Sequence, residues 1–189
     1  MNPLHEYFNS FHPISTATFS QLLDATKTAV YKKGAIITAE GEVQKDLLFV
    51  KKGVQMSFLD HKDKQHVNAF TYPPGLTGVP ESFLYQTPSK YVLVTLTDSE
   101  LWKISYLRLQ QYFEQSREIE RLFRKITEAM LVGMIHRHTE LQSLTIEERF
   151  KVFVQRSPHL LQLVPHKYIA SYLHIDATNF SKLYNSIKI

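Results

Sequence analysis

VPHKYIASYLHIDATNFSKL, Val164–Leu183, decides the reading of this chain, because its apolar positions fall where two short helices crossing at a tight turn need them. The first helix would bury Ile169, Ala170 and Leu173, the turn Ile175, and the second helix Phe180 and Leu183, with Ala170 small enough to let the helices approach. Pro165 stands where a first helical turn tolerates proline, and Asp176 where an N-cap carboxylate accepts a hydrogen bond from the second helix's free amides. The pattern reads as a DNA-binding helix-turn-helix, whose second helix, about Ala177 to Ile187, would enter the major groove. His174 occupies the turn position usually held by glycine, where the backbone goes left-handed, so strain is expected there. An ordinary amphipathic helix pair in a core would share the spacing.

Composition sets the limits around this motif. The chain has 189 residues, enough for one or two domains, and 43% of them are hydrophobic, ample for a packed core. No apolar run approaches the roughly 18 residues needed to cross a bilayer, and MNPLHEYFNSF lacks a basic n-region and an apolar h-region, so a cytoplasmic location is expected. The absence of cysteine excludes disulfides, thiolate chemistry and cysteine-ligated iron–sulfur clusters. A formal charge of +4 permits contact with phosphate backbones without demanding it.

From about Tyr31 to Ile104 the sequence breaks into short β-rich runs: AIIT, DLLFV, VQMSFL, HVNAFTY, KYVLVTL and ELWKI. Short strands at this spacing indicate a sandwich or jelly roll. Gly34, Gly41 and Gly53 fall at joints between runs, and HKDK, His61–Lys64, suits a hairpin tip. Residues 4 to 30 read as helical pieces that pack on the β-domain, with Phe19, Leu22 and Leu23 as an apolar stripe and Ser15 or Thr16 as a cap. Trp102, Tyr72, Tyr85 and Phe83 read as core or pocket lining.

Between about Tyr106 and Leu141 the period becomes helical. Tyr112, Ser116, Ile119, Phe123, Ile126, Met130 and Gly133 recur in alternating steps of four and three, a seam with a period of about 3.5 residues. Such a seam can be buried against a second copy, which makes a homodimer the favoured state; packing on the chain's own β-domain is the alternative. Leu122, Leu131, Val132 and Ile135, outside the seam, suggest that both surfaces are used. Next, Ser143 or Thr145 can cap a helix whose first turn carries Glu147 and Glu148 and whose buried face is Phe150, Phe153 and Val154. The expected fold class is therefore α+β: a β-roll over residues 1–105, a long dimerisation helix over 106–141 and a helix-turn-helix domain over 142–189.

Enzymatic motifs are missing. His61 and His66 flank a charged turn without an HxH and glutamate set, His136 and His138 point to different faces of a helix, and no GxSxG, P-loop or GxGxxG occurs. A metal-dependent cupin is thus a poor reading, and no metal or catalytic residues are assigned. His159 and His166 flank a proline-marked connection, where each could meet phosphate or plain solvent.

The glycine spacing Gly34, Gly41 and Gly53, the long helix and the C-terminal motif together resemble the Crp/Fnr family of bacterial transcription regulators over nearly the whole chain. The phrases TYPPGLTGVPESFLYQTPSKYVLVTLTDSELWKI, LTIEERF and VPHKYIASYLHIDATNFSKL look like the divergent branch common in Bacteroidetes. The resemblance implies a cyclic-nucleotide-binding-like domain, promoter recognition, and double-stranded DNA, a second copy and RNA polymerase as partners, with no membrane.

Departures concentrate at the would-be effector pocket. The family's phosphate-cassette glycine aligns with Gly78, but its ribose-binding glutamate position holds Val79, its arginine position Ser89 and the following serine or threonine position Lys90. Losing a bidentate guanidinium removes a charge-assisted contact worth about 1.5–3 kcal/mol, and a lysine point charge does not replace it. Glu81 and Lys90 could pair instead. Weak or no binding of cyclic AMP is expected, with a degenerate pocket that stays empty or takes another small molecule.

For DNA, the candidate residues are Ala177, Thr178, Ser181 and Lys182 on the second helix, where Thr178, Ser181 and Lys182 can meet bases or phosphates, and His166, Lys167 and Asn179 toward the backbone. Lys182 matches a family arginine and keeps its charge without its fork. The sequence ends at Ile189 without the β-hairpin wing of many relatives, which makes two-fold binding more necessary. A regulator of this architecture acting through protein contacts is the alternative.

Overall fold

The computed structural model describes residues 2–186. In chain order its elements are α1 Pro3–Phe11, α2 Thr16–Asp24, β1 Lys27–Tyr31, β2 Ile36–Thr38, β3 Asp46–Lys52, β4 Gln55–His61, β5 Lys64–Thr71, β6 Gly75–Thr77, α3 Pro80–Tyr85, β7 Val92–Thr95, β8 Ser99–Ser105, α4 Tyr106–Gln115, α5 Arg117–Ser143, α6 Ile146–Arg156, α7 Leu160–Leu163, α8 His166–Leu173 and α9 Ala177–Ser186. Two four-stranded antiparallel sheets, ordered β1-β8-β3-β6 and β2-β7-β4-β5, face each other. The β-region begins at Lys27, earlier than the expected Tyr31, because KTAVY pairs along β8 rather than continuing the helical start.

Alternation along each strand sorts residues between layers. Leu48 and Val50 turn inward to meet Val79, Leu93 and Leu101 between the sheets. Phe49 and Ile104 turn outward from the first sheet and meet Phe8, Phe19, Leu109 and Ile119 of the helices. Met56 and Phe58 leave the second sheet on its far side and join Phe150, Phe153, Leu173 and Phe180 in a shared core. The molecule is thus layered as helices, sheet, sheet, helices. HKDK closes the β4–β5 hairpin, with Lys62 and Asp63 both at left-handed φ (52° and 58°), as a two-residue turn requires.

Helix ends follow the capping residues. Ser15 caps α2, and Thr145 with Glu148 forms a capping box on α6; Ser143, the other candidate, is the last residue of α5. The seam differs from its reading as one helix. Ser116 is extended (φ −137°, ψ 107°): its N–H closes α4 on the Tyr112 carbonyl at 2.9 Å, and its hydroxyl accepts the Ile119 N–H at 3.3 Å to start α5. A serine that can cap both ways outcompetes helix continuation there. Ile119, Leu122, Phe123 and Ile126 are buried against the chain's own α1 and first sheet, and Tyr112 reaches the Gln21 carbonyl. Only the later part of the seam stays open. Met130 and Gly133 are exposed there, as are Leu131, Val132, Met134 and Ile135 beside them. Heptad spacing cannot tell a chain's own domain from a second copy, which is why the two halves read alike.

Candidate functional site

Two places carry polar side chains in arrangements that invite chemistry: the α8–α9 pair and the space between the sheets behind Gly78.

In the first, Ile169, Ala170, Leu173, Ile175 and Phe180 are buried and Leu183 is partly so. His174 takes the left-handed conformation (φ 53°, ψ 46°), its N–H meeting the Ser171 carbonyl at 3.1 Å while the Ile175 N–H meets Ala170 at 3.0 Å. Partial desolvation, then Arg137, Arg149 and His66, hold its imidazole below its ordinary pKa. Asp176 accepts the Asn179 N–H at 2.9 Å and also the Asn179 side-chain amide, and the backbone bond chiefly holds its carboxyl below the usual carboxylate range.

Ala177, Thr178, Ser181 and Lys182 share one exposed face of α9. The Ser181 hydroxyl donates back to the Ala177 carbonyl at 2.9 Å, and Asn179 is half-buried and held by Asp176, so both are partly engaged in the helix itself. Lys167 is exposed on α8 with its ammonium 4.8 Å from the Tyr168 ring centre. His166 is not an open surface group: its ring packs on Phe180 and Tyr184, with centroids 5.3 and 4.2 Å away. His159 meets Tyr72 edge-on but stays exposed. Ile187, the expected end of this helix, lies outside the described residues.

Behind Gly78 the residues expected to form a pocket are engaged with their own surroundings. Val79 is buried in the inter-sheet core. The Ser89 hydroxyl is buried and turned onto Tyr91, donating to its carbonyl at 2.6 Å and accepting its N–H at 2.9 Å. Lys90 and Glu81 pair at 3.6 Å on the surface. Gln44, which sequence reasoning missed, sits against Gly78 so closely that a Cβ there would overlap its amide. Its Oε1 accepts the Val79 N–H at 2.7 Å and the Thr38 hydroxyl at 3.2 Å, and its Nε2 donates to the Asp46 carbonyl at 3.1 Å. No local pattern signals this contact, since Gln44 lies 35 residues from Val79. An open cleft of about 440 Å³ remains beside it, lined by Tyr31, Ile37, Thr38, Glu42, Gln44 and Leu48 among others and by none of the five expected residues.

Of the aromatic residues expected as lining, Phe83 is buried, Trp102 is partly buried with the Lys51 ammonium 5.4 Å from its ring centre, and Tyr72 packs on the C-terminal helices. Tyr85 is instead 75% exposed, on the outer side of the short α3. His61 and His66 stand with ring centres 6.4 Å apart; among the described residues no three His, Asp or Glu are grouped to hold a metal ion. No helix among the described residues is long and apolar enough to cross a membrane.

Residues 28–116 match the family described as Cyclic nucleotide-binding domain. No curated protein sequence matches the chain. Among solved structures, FixK2 from Bradyrhizobium japonicum is 17% identical with a TM-score of 0.72, covering 85% of this chain and 83% of that one. CLP of Xanthomonas campestris, described as a c-di-GMP-responsive global regulator, is 19% identical with a TM-score of 0.67, covering 90% of both. Thermus thermophilus catabolite activator protein is 19% identical with a TM-score of 0.59, covering 98% and 86%. At these identities the likeness is one of fold, a cyclic-nucleotide-binding β-domain followed by helices.

Proposed function

We propose that this chain is a dimeric DNA-binding transcription regulator of the Crp/Fnr type, with α8–α9 as its helix-turn-helix. The observation that carries the reading is the exposed face of α9, where Ala177, Thr178, Ser181 and Lys182 project from a helix whose opposite side is anchored by Phe180. Such a face, capped by Asp176 and fed by a left-handed turn, suits insertion into a major groove. Lys167 then supports a phosphate contact beside it. A second copy is supported by α5, where Met130, Leu131, Val132, Met134 and Ile135 lie open, Met134 at 69%. Large apolar side chains so concentrated favour burial by a partner helix.

Three features of the interior support weak or no binding of cyclic AMP. The Gln44 amide already takes the Val79 N–H beside Gly78, Val79 offers no ribose acceptor, and the Ser89 hydroxyl is bonded to Tyr91. The pocket is then empty or takes another small molecule. The engagement of Asn179 and Ser181 within their own helix favours one second reading, a regulator of this architecture that works through protein contacts. Binding to sheared genomic DNA at several salt concentrations separates the two. The DNA reading expects affinity that falls steeply with salt, and for Lys182→Ala a log–log slope smaller by about one. Absent or salt-independent binding overturns it.

A further inference from the structure

β5 is the outer strand of the second sheet, so among the described residues the N–H and C=O groups on its far side have no strand to pair with. The helix α8 lies along that edge, and one hydroxyl serves both polarities. The Val67 N–H donates to Ser171 Oγ at 3.1 Å, and Ser171 Oγ donates to the Gln65 carbonyl at 2.7 Å. Ser171 therefore stands in for a strand neighbour across more than a hundred residues of chain.

The surroundings hold the same seat. Phe70 packs on Tyr172 with centroids 5.3 Å apart, and the hydroxyls of Tyr72 and Ser157 meet at 2.7 Å. The Arg137 guanidinium lies 4.1 Å from the Tyr172 ring centre, donates to the Tyr172 carbonyl, and pairs with Glu140, which Arg156 also approaches at 3.5 Å. α9 in turn is fixed to this group through Ile175 and Phe180.

We propose that Ser171 is a positioning residue that seats the first helix of the motif on the edge of β5, and so sets the direction in which α9 faces and the separation of two such helices in a dimer. This rests on the DNA reading of α9. Two recognition helices engage successive groove faces only when about 34 Å apart, so a fixed seat translates into preference for one spacing between half-sites. Ser171 touches no DNA on this account; its effect passes through α8.

The experiment uses the full chain with Ser171→Ala and Ser171→Thr. Hydrogen exchange reads the Val67 amide, and a set of palindromes with spacers varied one base pair at a time reads DNA affinity. Ser171→Ala is expected to speed Val67 exchange about tenfold, weaken the best spacer about tenfold and change the other spacers and a single half-site less than about twofold. Ser171→Thr, which keeps the hydroxyl, restores both readouts. Unchanged Val67 exchange in Ser171→Ala overturns the seat, and equal weakening on every spacer and on the single half-site overturns its role in spacing. Wild-type protein that binds no DNA removes the reading of α9 on which the proposal rests, while the exchange result still reports the seat by itself.

Discussion

Inside the sandwich, Thr38, Gln44, Ser82 and Ser89 direct their hydrogen bonds to backbone groups and to one another, whereas along α9 Thr178 and Lys182 face solvent. Both regions are made from ordinary polar residues, and they differ in how many are already paired: Ser181 and Asn179 are engaged within α9, but Thr178 and Lys182 are open to solvent. A ligand entering the first must break as many bonds as it makes, so the net gain is small. A phosphate backbone meeting the second exchanges water and releases counterions, which is favourable without rearrangement. A fold shared with nucleotide-binding domains does not by itself show that the binding chemistry is present; that depends on which polar groups remain available.

The largest effect expected is at the closed end. Gln44→Leu removes the acceptor of the buried Val79 N–H, and a urea melt should show a loss of about 2–4 kcal/mol with DNA affinity per folded molecule unchanged. A loss within about 0.5 kcal/mol would break the comparison, because the interior would not depend on that bond. Next comes the open part of α5: Met134→Asp should weaken self-association by about 2 kcal/mol, read by sedimentation equilibrium, and a wild-type monomer at micromolar concentration would remove the dimer from the account. Lys182→Ala inverts the Gln44 result, with stability changed by less than about 0.5 kcal/mol and DNA affinity reduced about tenfold.

The smallest change sharpens the geometry of the motif. His174→Gly relieves left-handed strain and should stabilise by about 1 kcal/mol in thermal melts. Because the folded protein holds the His174 imidazole below its ordinary value of 6.5, the unfolded chain binds the proton more readily. The stability it contributes is full above that value and declines as pH falls through it toward the folded value, so His174→Gly should flatten this part of the stability–pH profile.

The C-terminal motif was legible because its signals are local. Asp176 caps α9, His174 turns left-handed and Ile169, Ala170, Leu173, Ile175 and Phe180 are buried as the spacing required. The strands were legible for the same reason, except β1 and β6, which acquire their identity from pairing with β8 and β3. Contacts between distant segments were not legible. Nothing near Gln44 announces Gly78, nothing near Ser171 announces β5, and the apolar spacing of Ile119, Phe123 and Ile126 is equally consistent with the chain's own sheet, where they lie, and with a second copy. The expected pocket residues Gly78, Val79, Glu81, Ser89 and Lys90 followed from resemblance; Val79 lies in a core, the Ser89 hydroxyl is turned onto Tyr91, and Glu81 and Lys90 form a surface ion pair.

Selection of genomic DNA fragments on the purified 189-residue chain, with and without cyclic AMP at a stated salt concentration, reads whether α9 recognises DNA independently of the nucleotide. One palindromic site should be enriched, with the same fragments recovered whether or not cyclic AMP is present. Enrichment that appears only with cyclic AMP, or no enrichment under either condition, would contradict that expectation.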